Sequence, residues 1–549
     1  MQTLKDVQAL FPSENGNAET RNKMNQLLSQ ILYEMDNLKD PNKSTLGEPI
    51  HKGEDFYRQI TNQAKIPMEG QSYEQLLNEL VHLMKGHPYH TNRFLTNVLP
   101  MASIPGLIGQ FTASLLNGNN LWDVYGPAGA QAETEVISIM SQLAGYDHQQ
   151  SWGYTTWGGQ GAVFTSLRIA ISKHAPFAME VGVPQNLYCF SSEQAHYSLI
   201  KSAEATGLGR SHVIKVKTKD DHSLDEQDLA KKMNDVIKNG GIPIYVVATT
   251  GTTDNFAIDN IKTIKQTVDT ITSEHELSPV HLHADSALGG FYCVFNHYDF
   301  ENNPLQFEKT VLEGLLKIKE RMQYLSMADS LCFDFQKLGQ TPYVTSLFLV
   351  KQQNDLKLID LEAEESPYVG DRGYGHYHTS YTLECSRMAS SISILAALKM
   401  FGVEGYQQLL ANYVRVNLVF RQKLSETFSN IHVTNKKNIG PVTAFRLYLN
   451  GTNWAQEQNG ELTKEQILAT NKINEELFEY FGEKRSEIFL GDTKKFDLVP
   501  VSNGEKLYPI YVSKLFSISP YTETKHLDEV IQFIQKAVET VAIAEAQPC

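Results

Sequence analysis

Apolar positions recur at helical spacing from residue 19 to about residue 85, with Met24, Leu27, Leu28, Ile31 and Leu32 on one stripe. The run predicts an N-terminal arm of helices, broken at Pro67 and again at Gly86-His87-Pro88. An arm this apolar needs a surface to pack on, which its own large domain or a partner subunit would provide. From about residue 104 to residue 402 the period changes. Short runs rich in β-branched and aromatic residues, at 186–190, 242–248, 280–283 and 346–350, read as strands, with helical stretches such as 224–237 and 261–274 between them. Such alternation predicts an α/β domain, a mostly parallel sheet with helices on both faces and ligands at the carboxyl ends of the strands. Past residue 401 come a long helix, strands within 442–449 and 507–519, and a last helix from His526 to about Ala542, which predict a smaller α+β domain. The expected division is 1–103 for the arm, 104–402 for the large domain and 403–549 for the small one.

Composition narrows the function classes. The 549 residues are 41% hydrophobic and 20% charged, ordinary for a globular chain with a large core. A net charge of −15 with no concentrated Lys/Arg run leaves no field to gather nucleic acid or anionic lipid. Apolar stretches fall short of the ~18 residues that suggest a membrane span, and Met1-Gln2-Thr3-Leu4-Lys5-Asp6 lacks an apolar signal core, so a cytoplasmic protein is expected. The five cysteines, Cys189, Cys293, Cys332, Cys385 and Cys549, are scattered and odd in number, which predicts reduced thiols and neither a disulfide framework nor a metal site.

Two segments stand out for chemistry. Asp329-Ser330-Leu331-Cys332-Phe333-Asp334-Phe335-Gln336-Lys337 sets a lysine just past a strand. His281-Leu282-His283-Ala284-Asp285-Ser286-Ala287-Leu288-Gly289-Gly290 ends a strand on a carboxylate followed by small residues. A lysine amine able to form a Schiff base and a buried carboxylate able to keep a pyridine nitrogen protonated are the two groups that pyridoxal phosphate requires. Thr155-Thr156-Trp157-Gly158-Gly159-Gln160-Gly161 precedes a helical run at 164–173. Consecutive glycines before a helix let backbone N–H groups approach a phosphate, though the same loop serves as a plain strand-to-helix turn. His196, in Ala195-His196-Tyr197-Ser198, could stack on an aromatic ring or simply start a helix. Ala248-Thr249-Thr250-Gly251-Thr252-Thr253 offers hydroxyls at another strand end, with Asp259 as the expected cap of the next helix.

Taken in order, the Gly-Gly loop, Ala-His-Tyr-Ser, Gly-Thr-Thr, His-x-Asp-x-Ala-x-Gly-Gly and Asp-Ser…Asp-x-x-Lys resemble the group II pyridoxal-phosphate-dependent amino-acid decarboxylases. That family includes glutamate, aromatic amino-acid, tyrosine and diaminobutyrate decarboxylases. Further similarity lies at His87-Pro88, at Tyr125-Gly126-Pro127-Ala128 with Glu135, and at Leu383-Glu384-Cys385-Ser386-Arg387, so the resemblance runs from about residue 85 to about residue 420. It implies a fold-type-I, transferase-like large domain with a sheet of the seven-stranded type, and a homodimer with active sites near the subunit interface. It further implies Lys337 as the Schiff-base lysine, Asp285 as partner of the pyridine nitrogen, His196 stacked on the ring and Ala287 against its other face. Gly158, Gly159 and Gln160 would cradle the phosphate, with Thr253 and Gln336 completing the cofactor set. The chain departs from the pattern at Gln336, where the family usually has histidine, and at Trp157 and Gln160 in the phosphate loop; both bear on cofactor affinity. The interval from Asp285 to Lys337 looks long for the family, and its charged helical stretch at 307–321 reads as a surface insertion.

The implied activity is decarboxylation of an L-amino acid to its amine and carbon dioxide. A proton must reach the substrate carbon, and a tyrosine of a mobile loop is often the donor in this family. Here the loop contains Tyr368, Tyr374 and Tyr377, with His376 and His378 as alternatives. An acidic substrate would need a cation such as Arg93; an aromatic one, slightly favoured, would need apolar walls, for which Phe94, Leu99, Trp122 and Tyr125 are candidates. Two other readings are an oxidative, aldehyde-forming decarboxylase-deaminase that uses dioxygen, and a catalytically inactive scaffold or binding subunit.

Overall fold

The computed structural model describes residues 3–49, 52–361, 365, 375–449, 451–502, 504 and 506–546. At its centre is a seven-stranded sheet in the order Trp152–Thr156, Ser346–Val350, Ser330–Asp334, His281–Asp285, Ile242–Thr249, Leu187–Ser192 and Val213–Val216. Ser346–Val350 runs antiparallel to both its neighbours, and the strands beyond Ser330–Asp334 pair parallel. Every residue of His281–Asp285, Ser330–Asp334 and Ser346–Val350 is buried, as expected for strands covered on both faces. This is the predicted α/β architecture.

Some helices pack through one apolar stripe, whereas Gly159–His174 is buried along most of its length. Ile261–Glu274 buries Ile261, Ile264, Val268 and Ile271, and its cap is Asn260, whose side chain accepts from Thr263 N at 3.4 Å. Asp259, the expected cap, is instead buried between two loops and accepts from Leu224 N and Thr249 N, each at 2.7 Å. The stretch expected to be a surface insertion is the helix Lys309–Met322. Its Val311, Leu315, Ile318 and Met322 belong to the main core, because its apolar positions fall on one face.

The long helix Ser391–Thr427 breaks at Gly402, where φ is +58° and ψ −175°, a conformation that glycine adopts without strain. Beyond it a five-stranded sheet runs Phe94–Leu95, Phe489–Thr493, Val512–Phe516, Val442–Leu447, Ile431–Val433. Phe94 and Leu95, placed in the arm by the sequence division, pair parallel with Phe489 and Leu490 and so belong to this smaller sheet. The arm helices Ala18–Leu38, Phe56–Gln63 and Tyr73–Met84 contain no buried residue. Among the described residues, no helix is long and apolar enough to cross a membrane.

Candidate active site

The chemically distinctive segments converge on one edge of the seven-stranded sheet. Asp285 pairs with Thr249, while Thr156 and Asp334 both pair with Ser346, so the loops after these strands open on the same side. There a cavity is lined by Gly159, Gln160, His196, Thr253, Asp285, Ala287, Asp334 and Lys337, with Thr249, Thr252 and Leu288. Gly289 lets two of these loops meet, since a Cβ on it would lie 2.1 Å from Thr250 O.

Lys337 follows Asp334 by one tight turn, its N–H donating to Asp334 O at 3.0 Å. Its side chain is 24% exposed, with Nζ 3.0 Å from Asp334 Oδ2. Burial alone would depress the Lys337 ammonium; the carboxylates of Asp334 and Asp285 outweigh it and hold its pKa above the usual lysine value. Asp334 Oδ1 in turn accepts from Ser346 Oγ at 2.6 Å. Asp285 Oδ1 accepts from Ala287 N at 3.3 Å and from Cys332 Sγ at 3.4 Å, and Oδ2 has no hydrogen bond among the described residues. Burial lowers the His196 pKa, opposed by Asp285 and reinforced by Lys337, so the ring is neutral near pH 7. His196 Nδ1 accepts from Ser198 N at 3.3 Å, which leaves the proton on Nε2.

The glycine loop bends as its sequence requires. Gly158 has φ +115°, and the helix Gly159–His174 starts directly after it, with Gly161 N donating to Gly158 O at 2.9 Å and the N–H groups of Gly159 and Gln160 at its open end. Gly158 and Gln336 are not in the cavity wall. Gln160 Nε2 donates to Ser198 O at 3.1 Å and Ser202 Oγ at 2.8 Å, so its backbone N–H, and not its side-chain amide, is what it can offer a phosphate. Gln336 is buried and its Oε1 accepts from Thr345 N at 3.0 Å and Ser346 Oγ at 3.1 Å, so its side-chain oxygen braces the loop. Asp334, Ser346 and Cys332 were passed over as site residues. Asp334 ends the Ser330–Asp334 strand and its partner Ser346 lies on the neighbouring strand, so spacing within the segment does not mark it.

A second cluster braces the same edge. Buried Glu133, in the helix Pro127–Ala144, accepts from Thr155 N at 2.7 Å and also from Arg387 Nη2 and the Tyr377 hydroxyl. Arg387, 5% exposed, further donates to Thr379 Oγ1 at 2.7 Å and Asn120 O at 3.1 Å. Burial opposes its charge, but Glu133 overcomes this and raises its pKa. Glu135, the acid that the sequence resemblance picked out, lies two residues on, on another helix face, and pairs with exposed Lys399.

The remaining candidates scatter. Tyr377 is half-buried and does not line the cavity; Tyr368 and Tyr374 lie outside the described residues. His376 N donates to Asp123 Oδ2 at 2.9 Å, and His378 Nδ1 lies 2.9 Å from Ser380 Oγ. Arg93 is paired with Glu529 at 2.6 Å. Phe94 and Trp122 are core residues, whereas Leu99 and Tyr125 are exposed, so they do not form one pocket.

The profile of the pyridoxal-dependent decarboxylase conserved domain matches residues 57–448. The chain belongs to the pyridoxal-dependent decarboxylase family. It is similar to the L-tyrosine decarboxylase of Enterococcus faecalis, 23% identical over 484 residues and 76% of each chain. It is also similar to the L-2,4-diaminobutyrate decarboxylase of Acinetobacter baumannii, 24% identical over 370 residues, 63% of this chain and 66% of that one. A glutamate decarboxylase-like protein of Gibberella zeae is 27% identical over 267 residues; the match covers 48% of this chain and less than half of that relative, 46%. The fold is similar to that of Rhodiola rosea 4-hydroxyphenylacetaldehyde synthase, with a TM-score of 0.74 at 18% identity, covering 96% of this chain and 100% of that one. Catharanthus roseus tryptophan decarboxylase gives 0.73 at 17%, with the same coverage of 96% and 100%.

The residues present fit the family's cofactor. Thr249 Oγ1 lies at the cavity buried and without a hydrogen-bond partner. A Cβ on Gly159 would lie 3.1 Å from Ala287 Cβ and 3.3 Å from Asp334 Oδ1, so the glycine keeps space open between the phosphate loop and the lysine turn.

Proposed function

We propose that this family member is a pyridoxal-phosphate-dependent decarboxylase of L-amino acids, releasing carbon dioxide and the amine. What supports the reading is that Lys337, Asp285, His196 and the start of the Gly159–His174 helix line one cavity. Pyridoxal phosphate, when bound, supplies an electron sink for the pair left behind as the carboxylate departs. Lys337 is the amine that would hold it. Its ammonium must first give up a proton, which the carboxylate of Asp334, with Oδ2 at 3.0 Å, opposes. Asp285 favours a proton on the ring nitrogen, neutral His196 offers a flat face to the ring, and the helix N-terminus favours the phosphate. For return of a proton to the substrate carbon we propose a tyrosine, Tyr368, Tyr374 or Tyr377; of these Tyr377 is among the described residues, and its hydroxyl donates to Glu133.

The described residues lining the cavity include no arginine, and Arg93 is held by Glu529, which favours an aromatic over an acidic substrate. A homodimer accounts for the apolar surface left open on the arm and on the helix Ile104–Leu116, where Ile108 is 60% and Leu115 53% exposed. The test is a panel of L-amino acids assayed for carbon dioxide release by protein saturated with pyridoxal phosphate. Release with amine as sole product upholds the reading. Aldehyde, ammonia and peroxide would instead assign the oxidative reaction, and no release with any substrate and no visible cofactor absorbance would assign the scaffold.

A further inference from the structure

The strand that delivers Asp285 carries two more titratable side chains that the proposed reaction leaves unused. His281, His283 and Asp285 alternate along it and so share one face, with Asp285 roughly 7 Å along the strand from His283. Both imidazoles are buried, and both meet a single hydroxyl. Ser330, which pairs with His283 across the neighbouring strand, has its Oγ 2.8 Å from His281 Nε2 and 2.8 Å from His283 Nδ1. At the far end of the row, Lys173 Nζ lies 3.5 Å from His281 Nδ1 and 2.6 Å from Asp355 Oδ2.

Each proton along this row has one place. An ammonium only donates, so His281 Nδ1 accepts and its ring carries the proton on Nε2, which donates to Ser330 Oγ. The hydroxyl has one proton to give, and His283 Nδ1 is its other contact among the described residues. Were Ser330 to accept from both rings, its own proton would have no acceptor. His283 is therefore the tautomer protonated on Nε2, and that buried N–H has no hydrogen-bond partner among the described residues. Burial keeps both rings neutral, pushing the His283 pKa down to about 3 and that of His281 well below its ordinary value.

Hydrogen bonds that run one way polarise one another, and here the row from Lys173 through His281 and Ser330 ends on the unpaired Nε2–H of His283. Folded proteins leave few buried donors unpaired. The charge that favours a proton on His283 is the Asp285 carboxylate. That carboxylate is already approached by a second donor from the buried strands, Cys332 Sγ at 3.4 Å from Oδ1. Tyr245 holds the row still: its ring stacks on His281 at 5.9 Å and on His283 at 6.2 Å, and its hydroxyl lies 2.5 Å from Ser166 Oγ on the Gly159–His174 helix.

We propose that His283 is a positioning residue for Asp285. Held in one tautomer by Ser330 and His281, it turns the positive end of a polarised row toward the carboxylate and stabilises it as an anion. The shared proton of Asp285 and the cofactor's pyridine nitrogen then stays on the nitrogen. This rests on the reading that the cavity holds pyridoxal phosphate with Asp285 at the ring nitrogen, and the parent protein tests that reading by itself.

The probe is pyridoxal phosphate labelled with nitrogen-15 in its ring, bound to the parent and to H283F, H283Q, S330A and S330T, with the ring-nitrogen resonance read by NMR. That resonance reports protonation of the ring, which a purely structural role for His283 would not move. The parent should show a protonated ring nitrogen. H283F should shift the resonance toward the unprotonated position and weaken cofactor binding at least fivefold. H283Q keeps an N–H donor and S330T keeps the hydroxyl, so both should return to the parent values. S330A leaves the His283 ring in place but frees its tautomer, and should shift in the direction of H283F; it carries the comparison if H283F does not fold. A parent resonance in H283F or in S330A, or an H283Q protein no different from H283F, would overturn the inference while leaving the cofactor reading intact. A parent that fails to bind the label, or binds it with the ring unprotonated, would overturn both.

Discussion

Replacing Glu133 by glutamine tests how the strand leading into the glycine loop is held. The substitution keeps an acceptor for Thr155 but leaves the Arg387 guanidinium, 5% exposed, with no anion. Removing one partner of a buried pair costs about 3–5 kcal/mol, a large share of the ~5–15 kcal/mol by which a domain is stable. The exposed Glu135–Lys399 pair is the internal control, and Glu135→Gln should cost about 1 kcal/mol or less. Much of the Glu133 effect is the stranded charge rather than the lost contact. Adding Arg387→Met to Glu133→Gln should therefore recover a good part of the loss, with a coupling of ~2 kcal/mol or more between the sites. Urea unfolding followed by tryptophan fluorescence reads the parent, Glu135→Gln, Glu133→Gln, Arg387→Met and the double variant, because Trp152 and Trp157 flank Thr155 and Thr156 on this strand and the loop it enters. If Glu133→Gln stays within about 1 kcal/mol of the parent, or if the double variant loses the sum of its parts, the buried pair does not hold this edge together.

Three further outcomes are expected. Asp334→Asn removes the nearer carboxylate holding up the Lys337 ammonium against burial, so the midpoint for competitive acetylation of Lys337 in the cofactor-free protein should move to lower pH; an unchanged midpoint would count against the electrostatic account. Burial raises the Asp259 carboxyl to about 7, above its unfolded value, so its contribution to stability is present at low pH and lost as pH rises toward 7; the stability of the parent relative to Asp259→Asn should fall between pH 4.5 and 7.5, and a flat difference would refute the shift. The double variant Ile108→Glu/Leu115→Glu puts charge on the exposed face of Ile104–Leu116 and should halve the mass measured by light scattering; a parent that is already monomeric would end the dimer proposal.

Much of the fold was legible because the period of the apolar positions reports burial directly. Ile261–Glu274 and Ser346–Val350 were readable to the residue, since turn chemistry bounds a clean stripe in one and a fully buried run in the other. The helix Lys309–Met322 was misplaced because its charges are as periodic as its apolar residues, and only packing tells which face is turned inward. Cavity residues at strand ends, Asp285 and Lys337 above all, could be found because parallel strands deliver their loops to one edge. Asp334, Gln336 and Glu133 could not be assigned by spacing. Which side of a loop a side chain takes depends on partners far away in the chain, Ser346 and Thr345 for the first two and Arg387 for the third.

The central claim is that Lys337 is the lysine that holds the cofactor. Borohydride reduction of protein loaded with pyridoxal phosphate, followed by proteolysis and mass mapping, tests it directly. The prediction is a reduced pyridoxyl adduct on the peptide bearing Lys337, absent in Lys337→Ala together with the visible absorbance and carbon dioxide release. An adduct on a different lysine, or a Lys337→Ala protein that still turns over at the parent rate, would contradict it.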